Sequence, residues 1–391
     1  MTLAKLLSAP RSELSARGML HTPLEIAQQP ITWVETLRRM RALEQPLGAT
    51  LRGALRSSPR PNLVLLGAGT SDFVGRSVCQ LLRQRWQCLV EVIPTTDFVT
   101  HEQGLLLDGA PYMSVSFSRS GRSPESVQSL ERMLARTPSM PQLIVTCDAE
   151  GTMASELAEH PNAFRVLLDD AVNDRGLAMT SSYSNMVVAG LALAHWNDLA
   201  RFEEILLTVA TAWKRLATVA DALAEQLANR EFSKVYFLGS GALNGVARES
   251  ALKLLELTAG RVTSASETFL GVRHGPLSAL DGKALLVALV SSEPRVRRYE
   301  LDVLREVKRK GLAAETVVIA QNVDHALRQL GSFVLNVEIP HRVADDHLAP
   351  VMVLFGQLLG LHSSLAHGLR PDAPSPDGVI NRVVSGVEMH A

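Results

Sequence analysis

The strongest constraint on this chain is an internal repetition, in which an apolar run that ends in glycines occurs twice. The run reads NLVLLGAG at residues 62–69 and KVYFLGSG at residues 234–241. Both runs are short and rich in valine, leucine and aromatic residues, which predicts buried parallel strands. Helical patterns follow at residues 72–82 and 243–258. Because a strand, a glycine turn and a helix recur, we expect a duplicated domain.

The later strands recur in the same order. We predict them in pairs, at residues 112–117 and 284–290, 142–147 and 316–320, and 163–168 and 333–337. Gly67 and Gly239 give a period of about 172 residues, which is much longer than a solenoid repeat. Strands that alternate with helices predict parallel sheets with right-handed crossovers, and hence an α/β fold with helices on both faces of each sheet.

The repeats leave a segment at each end of the chain. We therefore expect a helical extension at residues 1–55, domains at 56–205 and 206–369, and a turn-rich tail at 370–391 that closes the active site. A long helical stretch at residues 182–226 is predicted to join the domains. In the extension, a docking face is predicted for Trp33, Leu37 and Met40.

Composition excludes several classes of partner. Of the 391 residues, 46% are hydrophobic and 20% are charged, which is enough apolar material for two full cores. The 39 basic and 40 acidic residues leave a formal net charge of −1. This balance provides no long-range field for nucleic acid or for an anionic membrane, so neither is expected as a partner.

Cysteine usage and the termini predict a cytoplasmic protein. Cys79, Cys88 and Cys147 form no Cys-x-x-Cys motif, so neither a disulfide scaffold nor a zinc cluster is expected. The first residues lack the apolar run and cleavage site of a signal peptide. The apolar run at residues 351–361 is shorter than the roughly 20 residues that a bilayer span requires.

Two hydroxyl-rich loops follow neighbouring predicted strands of the first repeat. They read GAGTS at residues 67–71 and SFSRSGRSP at residues 116–124. Ser123 is a good N-cap, Pro124 suits a first helical turn, and helix N-termini bind anions. Such residues also form ordinary turns, and one loop alone does not separate the two interpretations. Two loops at adjacent strand ends favour a phosphate site, with the serines and Arg119 as further donors.

The second repeat departs from this pattern, because its loop at residues 291–294 reads SSEP and contains an acid in place of the glycine. A carboxylate beside a phosphate is unfavourable, so we expect the phosphate in the first repeat. A dinucleotide fingerprint needs a third glycine where Asp72 and Asn244 stand, and no Walker A motif is present. NAD and ATP are therefore poor candidates, and no cofactor is predicted.

The second repeat contains the candidate chemistry. Glu249, Lys253 and Glu256 share one face of the predicted helix. From periodicity alone, a solvent-exposed Glu–Lys face is the favoured interpretation. His274, followed by glycine and proline, lies in a tight turn near strand ends, although a lone loop histidine is usually incidental. The HRVADDH segment at 341–347 is predicted to be a loop before a helix.

Together these motifs resemble the sugar isomerase (SIS) domain family of tandem phosphosugar-binding domains. SRSG at 118–121 is similar to its Ser-x-Ser-Gly phosphate loop, and GTS at 69–71 to its other phosphate contact. LKLLE at 252–256 with HGP at 274–276 resembles the isomerase half of glucosamine-6-phosphate synthase. ARESALKLLELTAG, GVRHGP and NRVVSGVE are most similar to the AgaS branch, the galactosamine-6-phosphate deaminase/isomerases, also described as tagatose-6-phosphate ketose/aldose isomerases.

The resemblance implies two tandem SIS domains, each a flavodoxin-like three-layer αβα sandwich. It implies that Glu256 is the catalytic base, His274 the ring-opening acid/base, and Lys253 a group that steadies the carboxylate or a substrate oxygen. The C-terminal lysine of the synthase is replaced in this stretch by Asn381 and Arg382. The implied phosphate and substrate contacts are Thr70, Ser71, Ser118, Arg119, Ser120, Ser123, Ser181, Ser182 and Arg382.

The implied reaction converts galactosamine 6-phosphate to tagatose 6-phosphate and ammonia, without metal or cofactor. No glutamine amidotransferase domain is present, so ammonia release is the expected direction. The alternatives are an aldose–ketose isomerase on a neutral sugar phosphate and a non-catalytic phosphosugar-binding module, and the galacto or gluco epimer stays open. The histidine of related enzymes can come from a neighbouring subunit, which implies a homodimer or larger assembly with the active site near the subunit interface.

Overall fold

The computed structural model describes residues 2–375, 377–383 and 386–390. The chain forms two compact units, each assembled from three segments. The first-sheet unit comprises Ile31–Asp174, Ser181–Glu204 and Ile380–Ala391. The second-sheet unit comprises Met1–Pro30, Arg175–Thr180 and Ile205–Val379. The domain limits expected at residues 55, 205 and 369 stay a prediction.

Each unit contains one five-stranded parallel sheet. The first sheet has the order β2-β1-β3-β4-β5 and the second the order β10-β9-β8-β6-β7. Numbered within its own sheet, each has the order 2-1-3-4-5, which is the doubly wound flavodoxin-like arrangement. The predicted tandem α/β fold is therefore confirmed. The strands are β1 Asn62–Gly67, β2 Val90–Pro94, β3 Tyr112–Ser118, β4 Gln142–Thr146, β5 Ala163–Leu167, β6 Val235–Gly239, β7 Ser264–Glu267, β8 Leu285–Val290, β9 Glu315–Gln321 and β10 Phe333–Val337.

Helices connect the strands and form both ends of the chain. Five of them precede the first strand, which agrees with the predicted helical extension. In chain order the helices are α1 Leu3–Ser8, α2 Arg11–Ala16, α3 Thr22–Ala27, α4 Gln29–Ala42, α5 Glu44–Leu55, α6 Thr70–Trp86, α7 Thr95–Leu105, α8 Pro124–Arg136, α9 Thr152–Ser155, α10 Ser181–Ala194, α11 Leu199–Ala228, α12 Ala242–Leu257, α13 Pro294–Lys310, α14 His325–Arg328, α15 Asp345–Met352 and α16 Leu354–Ala366.

The central strands are fully buried, as their apolar sequences require. Every residue of β3, β4 and β8 is buried, which is the burial expected where helices cover both faces of a parallel sheet. All eight strands predicted from sequence are present, within one or two residues at their ends. The sequence missed only β2 and β7, which lie at sheet edges and are less buried.

The predicted docking face of the extension is buried as expected. Trp33, Leu37 and Met40 are at most 2% exposed, and the indole N–H of Trp33 donates to the Ser184 hydroxyl at 2.8 Å. The stretch predicted as one long helix at residues 182–226 is instead two helices, α10 and α11. All 14 residues of α10 are buried, so α10 belongs to the core of the first-sheet unit.

One helical stretch, Asp345–Ala366, is long and apolar enough to cross a membrane, and it extends beyond the apolar run at residues 351–361. Within the protein, 94% of its most apolar window is buried. Core helices of globular domains have the same length and composition, and burial of this extent is typical of them.

Candidate active site

The turn between β1 and α6 brings a helix N-terminus close to the end of the first strand. A Cβ atom on Gly67 would lie 2.4 Å from the carbonyl carbon of Ser71, and Gly69 has a φ of +55°, so both positions require glycine. Thr70 and Ser71 occupy the first turn of α6, and both are buried. Because N–H groups and the positive end of the helix dipole meet in a first turn, the turn suits an anion.

The second hydroxyl-rich loop follows β3. Ser118 ends the strand, Arg119 and Ser120 follow it, and all three are buried. The Ser118 hydroxyl oxygen accepts the N–H of Gly121 at 3.1 Å. Among the described residues, the main-chain N–H groups of Ser120 and Ser123 have no acceptor. Because β1 and β3 are neighbours, both loops lie at the same edge of the first sheet.

Ser123 is the N-cap residue of α8, and Pro124 lies in the first turn, as the sequence predicts. The Ser123 hydroxyl does not cap a main-chain N–H; it donates instead to the hydroxyl of Ser126 at 2.7 Å. The N-terminal N–H groups of α8 therefore receive no acceptor from this side chain.

Two arginines join the C-terminal tail to the loop after β3. The Arg119 guanidinium donates to the main-chain carbonyl of Arg382 at 2.5 Å. Arg382 donates to carbonyl oxygens of residues 173–174, at 3.2 and 2.6 Å, while Asn381 is exposed. Residues 384–385 of the NRVVSGVE motif lie outside the described residues. The Arg382 side chain therefore binds main-chain carbonyl groups of residues 173–174 in this structure, whereas the sequence predicted a substrate contact.

Ser181 and Ser182, predicted as phosphate contacts, begin α10 and are fully buried. Both hydroxyls donate to the buried carboxylate of Asp174 at 2.5 Å, and both main-chain N–H groups donate to it as well. Since Asp174 uses the hydroxyl hydrogens, the two serines have no O–H left for a phosphate. Sequence reasoning missed Asp174, because it lies seven residues before Ser181 and so outside local capping patterns.

The three polar residues of α12 form a cluster that the protein largely buries. The Lys253 amine lies 3.5 Å from Oε1 of Glu249 and 2.5 Å from Oε2 of Glu256. The side chains of Lys253 and Glu249 are 0% exposed, whereas that of Glu256 is 23% exposed. The shared face is confirmed, but the solvent-exposed interpretation is wrong. Helix α16 covers this face, since Gly356 and Gly360 lie close against α12.

This donor set differs from that of a metal site. Among the described residues, no group of three or more histidine, cysteine, aspartate or glutamate side chains could hold a metal ion. In α12 the place between the two carboxylates is occupied by the ammonium of Lys253. A carboxylate held by a buried ammonium is a suitable group for proton transfer.

His274 lies between two short 3₁₀ turns, Gly271–Arg273 and Pro276–Ala279. It is exposed, and its imidazole makes no hydrogen bond to any described residue. No ion pair or hydrogen bond therefore joins His274 to Glu256 within the described chain.

In the second sheet, carboxylates accept the N–H groups of the loop after β8, but Glu293, the acid that the sequence indicated, is not one of them. Glu293 is exposed and pairs with Arg342 at 2.7 Å. The loop N–H groups are taken instead by Asp345, at the start of α15, and by Glu300, in α13. The expectation that phosphate binds in the first repeat stays a prediction, and the acids that occupy this loop are Asp345 and Glu300 rather than Glu293. In the HRVADDH segment, Asp345 contacts this loop.

Comparisons with known proteins agree with these features. The SIS domain family model matches residues 57–196. D-galactosamine-6-phosphate deaminase AgaS of Escherichia coli is 34% identical, over 94% of this chain and 95% of its own length. A Streptomyces coelicolor relative provisionally given the same name is 38% identical, over 95% of this chain and 96% of its own length.

Solved structures give the same assignment. Tagatose-6-phosphate ketose/aldose isomerase from Escherichia coli is 32% identical, with a TM-score of 0.84 over 95% of this chain and 96% of that one. The C-terminal domain of glucosamine-fructose-6-phosphate aminotransferase from Francisella tularensis shares the fold, with a TM-score of 0.73 at 18% identity over 90% and 97% of the two chains. With two flavodoxin-like sheets, a serine-rich loop after β3 and relatives aligned over nearly its whole length, the chain belongs to the AgaS branch of the sugar isomerase (SIS) domain family.

Proposed function

We propose that the protein converts D-galactosamine 6-phosphate and water to D-tagatose 6-phosphate and ammonia. The observation that carries this proposal is the α12 cluster, in which buried Lys253 holds the partly exposed carboxylate of Glu256, in a member of the AgaS branch. One relative is named a deaminase and one solved structure a ketose/aldose isomerase. Both activities require the same proton transfer between C1 and C2 of an open-chain sugar phosphate.

In the proposed mechanism Glu256 carries that proton. Its carboxylate removes the C2 proton of the open-chain amino aldehyde, and the electron pair forms a C1–C2 enolamine while O1 gains a proton. The same carboxyl group then protonates C1, which gives a ketimine at C2. Water adds to C2, the C–N bond breaks, and ammonia leaves with the ketone formed. A placed acid/base contributes about 10²–10⁴-fold to such a step.

Lys253 determines where that carboxylate lies. One oxygen of Glu256 is bonded to the buried amine at 2.5 Å, and the partly exposed side chain leaves the other oxygen for substrate. The second carboxylate, Glu249, offsets the charge of the amine, which has no access to water.

We assign the phosphate group to the edge of the first sheet. The proposed contacts lie in and beside the two loops: Thr70 and Ser71 at the start of α6, Ser118, Arg119 and Ser120 at and after the end of β3, and Ser123 before α8. The support is the combination of two helix N-termini with loop N–H groups that have no acceptor among the residues the structure describes.

For Ser181, Ser182 and Arg382 we propose an indirect role. Asp174 orients both serines, and Arg382 fastens the tail to the loop that contains Asp174. Together these contacts would hold the tail beside the phosphate loop rather than touch the sugar.

His274 is proposed to open the sugar ring. The His274 side chain is exposed and has no partner among the described residues, which fits a side chain that serves the site of a neighbouring subunit, so we also propose a homodimer or larger assembly. We further propose a cytoplasmic location.

The test is ammonia release from galactosamine 6-phosphate, with glucosamine 6-phosphate assayed in parallel. Glu256→Gln should lose at least about a hundredfold in kcat, because it removes the proton-carrying group. Glu315→Gln is the matched control, since Glu315 is also 23% exposed and paired with a cation, Arg230. Ammonia from the galacto substrate that depends on Glu256 supports the proposal.

Other outcomes would point to the alternatives. Interconversion of tagatose 6-phosphate and its aldose without ammonia release would replace the deaminase with an isomerase. Binding of the phosphosugar without either reaction would leave a binding module. Full ammonia release by Glu256→Gln would refute Glu256 as the base.

A further inference from the structure

The donors of the loop after β8 are arranged as in an anion-binding loop, and two carboxylates of the same chain occupy them. The main-chain N–H of Ser291 donates to Glu300 at 2.7 Å, and that of Ser292 donates to Asp345 at 2.7 Å. The Ser291 hydroxyl also donates to Asp345. Ser291, Ser292 and Glu300 are buried. Two N–H groups and a hydroxyl, the donor types that bind phosphate oxygens, are therefore satisfied by side chains of this chain.

The first sheet has other residues at the corresponding places. Helices α8 and α13 both begin at a proline, and six residues later α8 has buried Leu130 whereas α13 has Glu300. Helices α10 and α15 both follow the last strand of their sheets, and α10 begins with Ser181 whereas α15 begins with Asp345. Both acids are thus specific to the second sheet.

A further donor lies beside this loop. Gln321 follows Ala320, which pairs with Val290 in the register of β8 and β9, so its position is next to Ser291. Its side-chain oxygen accepts the N–H of Val343 at 3.2 Å. Its buried side-chain nitrogen has no acceptor among the described residues. A buried amide N–H₂ group without an acceptor is therefore present on the residue beside Ser291.

We propose that the Ser291–Ser292 loop, with Gln321, is a second anion-binding site of phosphate type that Asp345 and Glu300 keep closed, so that each chain binds one phosphosugar. The site is built from the same strand-to-helix geometry as the loop after β3. A phosphate could enter only by displacing a carboxylate from its donors, and two negative charges at that distance repel each other. Removal of the Asp345 carboxylate should make the donors available to an added anion.

The experiment measures rescue of thermal stability by inorganic phosphate. The parent chain carries Ser118→Ala and Ser120→Ala, which removes two hydroxyl donors of the proposed first-sheet site and should weaken it. Asp345→Ala is compared on that parent with Asp302→Ala, a control that removes an exposed acid of α13. The parent and the control should respond to phosphate weakly and to the same extent. Asp345→Ala should have a lower Tm than the parent. Phosphate at ten times its Kd should lower the unfolding constant of the Asp345→Ala chain roughly elevenfold, which raises its Tm by about 2–4 °C.

Two results would contradict the proposal of a closed second anion-binding site. A folded Asp345→Ala chain that gains no more stability from phosphate than the parent does would overturn the proposal, as would an unsubstituted chain that binds two phosphates per chain by calorimetry. If Asp345→Ala does not fold, Asp345→Ser is measured in the same way, because it supplies the residue found at the start of α10. Failure of the first-sheet assignment is detected separately, by comparing the unsubstituted chain with the parent. Equal phosphate affinity of the two chains would contradict that assignment.

Discussion

Lys253 shows how strongly burial determines the meaning of a charged residue. On an exposed helix, a glutamate–lysine pair four residues apart contributes only about 0.2–0.5 kcal/mol. With Lys253 and Glu249 fully buried, loss of Lys253 would leave Glu249 as an uncompensated buried charge, which typically costs about 3–5 kcal/mol. Such a pair is expensive to maintain, and its position beside Glu256 is consistent with a role in holding that carboxylate.

Glu300 gives a pH-dependent prediction at the same scale. Burial, with a smaller contribution from Asp345, raises the pKa of Glu300 from 4.5 to about 7, against hydrogen bonds from Ser240 and Ser291 and the charge of Arg297. Because the folded state holds this proton more tightly than the unfolded state, the stabilisation is complete below about pH 4.5 and is lost as the pH rises through 7.

Glu300→Gln should therefore unfold at higher urea than the unsubstituted chain at pH 8.5, with a gain of at most about 3 kcal/mol. The gain should shrink at pH 5.5, where Glu300 is mostly protonated in the folded state. Glu231→Gln, at an exposed position, is the control and should show no such difference. An equal effect of Glu300→Gln at both pH values would contradict the raised pKa.

At the scale of elements, the α12–α16 contact determines where α12 and its three charged residues lie. A Cβ atom on Gly356 would lie 2.4 Å from that of Ser250, and one on Gly360 would lie 2.8 Å from Leu257. The Cβ atom of Ser250 cannot yield without moving α12, and a Cβ atom on Gly360 would also lie 3.1 Å from the main-chain oxygen of Lys253 in that helix. Two glycines in α16 therefore fix the distance between the helices.

Gly356→Ala should destabilise the protein by about 1–3 kcal/mol and lower kcat, because the added methyl group displaces α12 and Glu256 with it. Urea denaturation and the ammonia assay measure the two effects. The control is Gly53→Ala in α5, where a Cβ atom would meet nothing within 4 Å and stability should stay the same or rise slightly. A fully active Gly356→Ala variant of unchanged stability would show that the α12–α16 contact has room for an added methyl group.

At the scale of the whole molecule, the proposed assembly predicts complementation between inactive subunits. If His274 serves a neighbouring subunit, a Glu256→Gln subunit and a His274→Ala subunit together form one complete site. An equal mixture after free subunit exchange should recover about a quarter of the unsubstituted activity, since half the dimers are mixed and each has one complete site of two.

Native mass spectrometry would verify that mixed dimers have formed. Two differently tagged Glu256→Gln preparations, mixed in the same way, should stay inactive. Mixed dimers without recovered activity would place His274 in the site of its own chain, or outside the reaction altogether.

The predictability of the fold followed the strength of local signals. Central strands such as β3 and β8 are continuous apolar runs because helices cover both faces, so they were predictable. The missed strand β7 reads SASE and is only half-buried at an edge, where one face and one neighbour are lacking. The helix start at Pro124 was equally local, since proline suits a first turn.

The sequence by itself determined the order of strands and helices, the glycine turns, the hydroxyl-rich loops and the shared face of α12, because each depends on neighbours within a few residues. Only the tertiary structure decided which charges are buried and what they hold. Asp345 reaches a loop 53 residues earlier, and Asp372 accepts the N–H of Thr22, 350 residues away. Such partners are set by which surfaces pack together, and burial then decides whether a carboxylate is a solvated charge, a structural acceptor or a base.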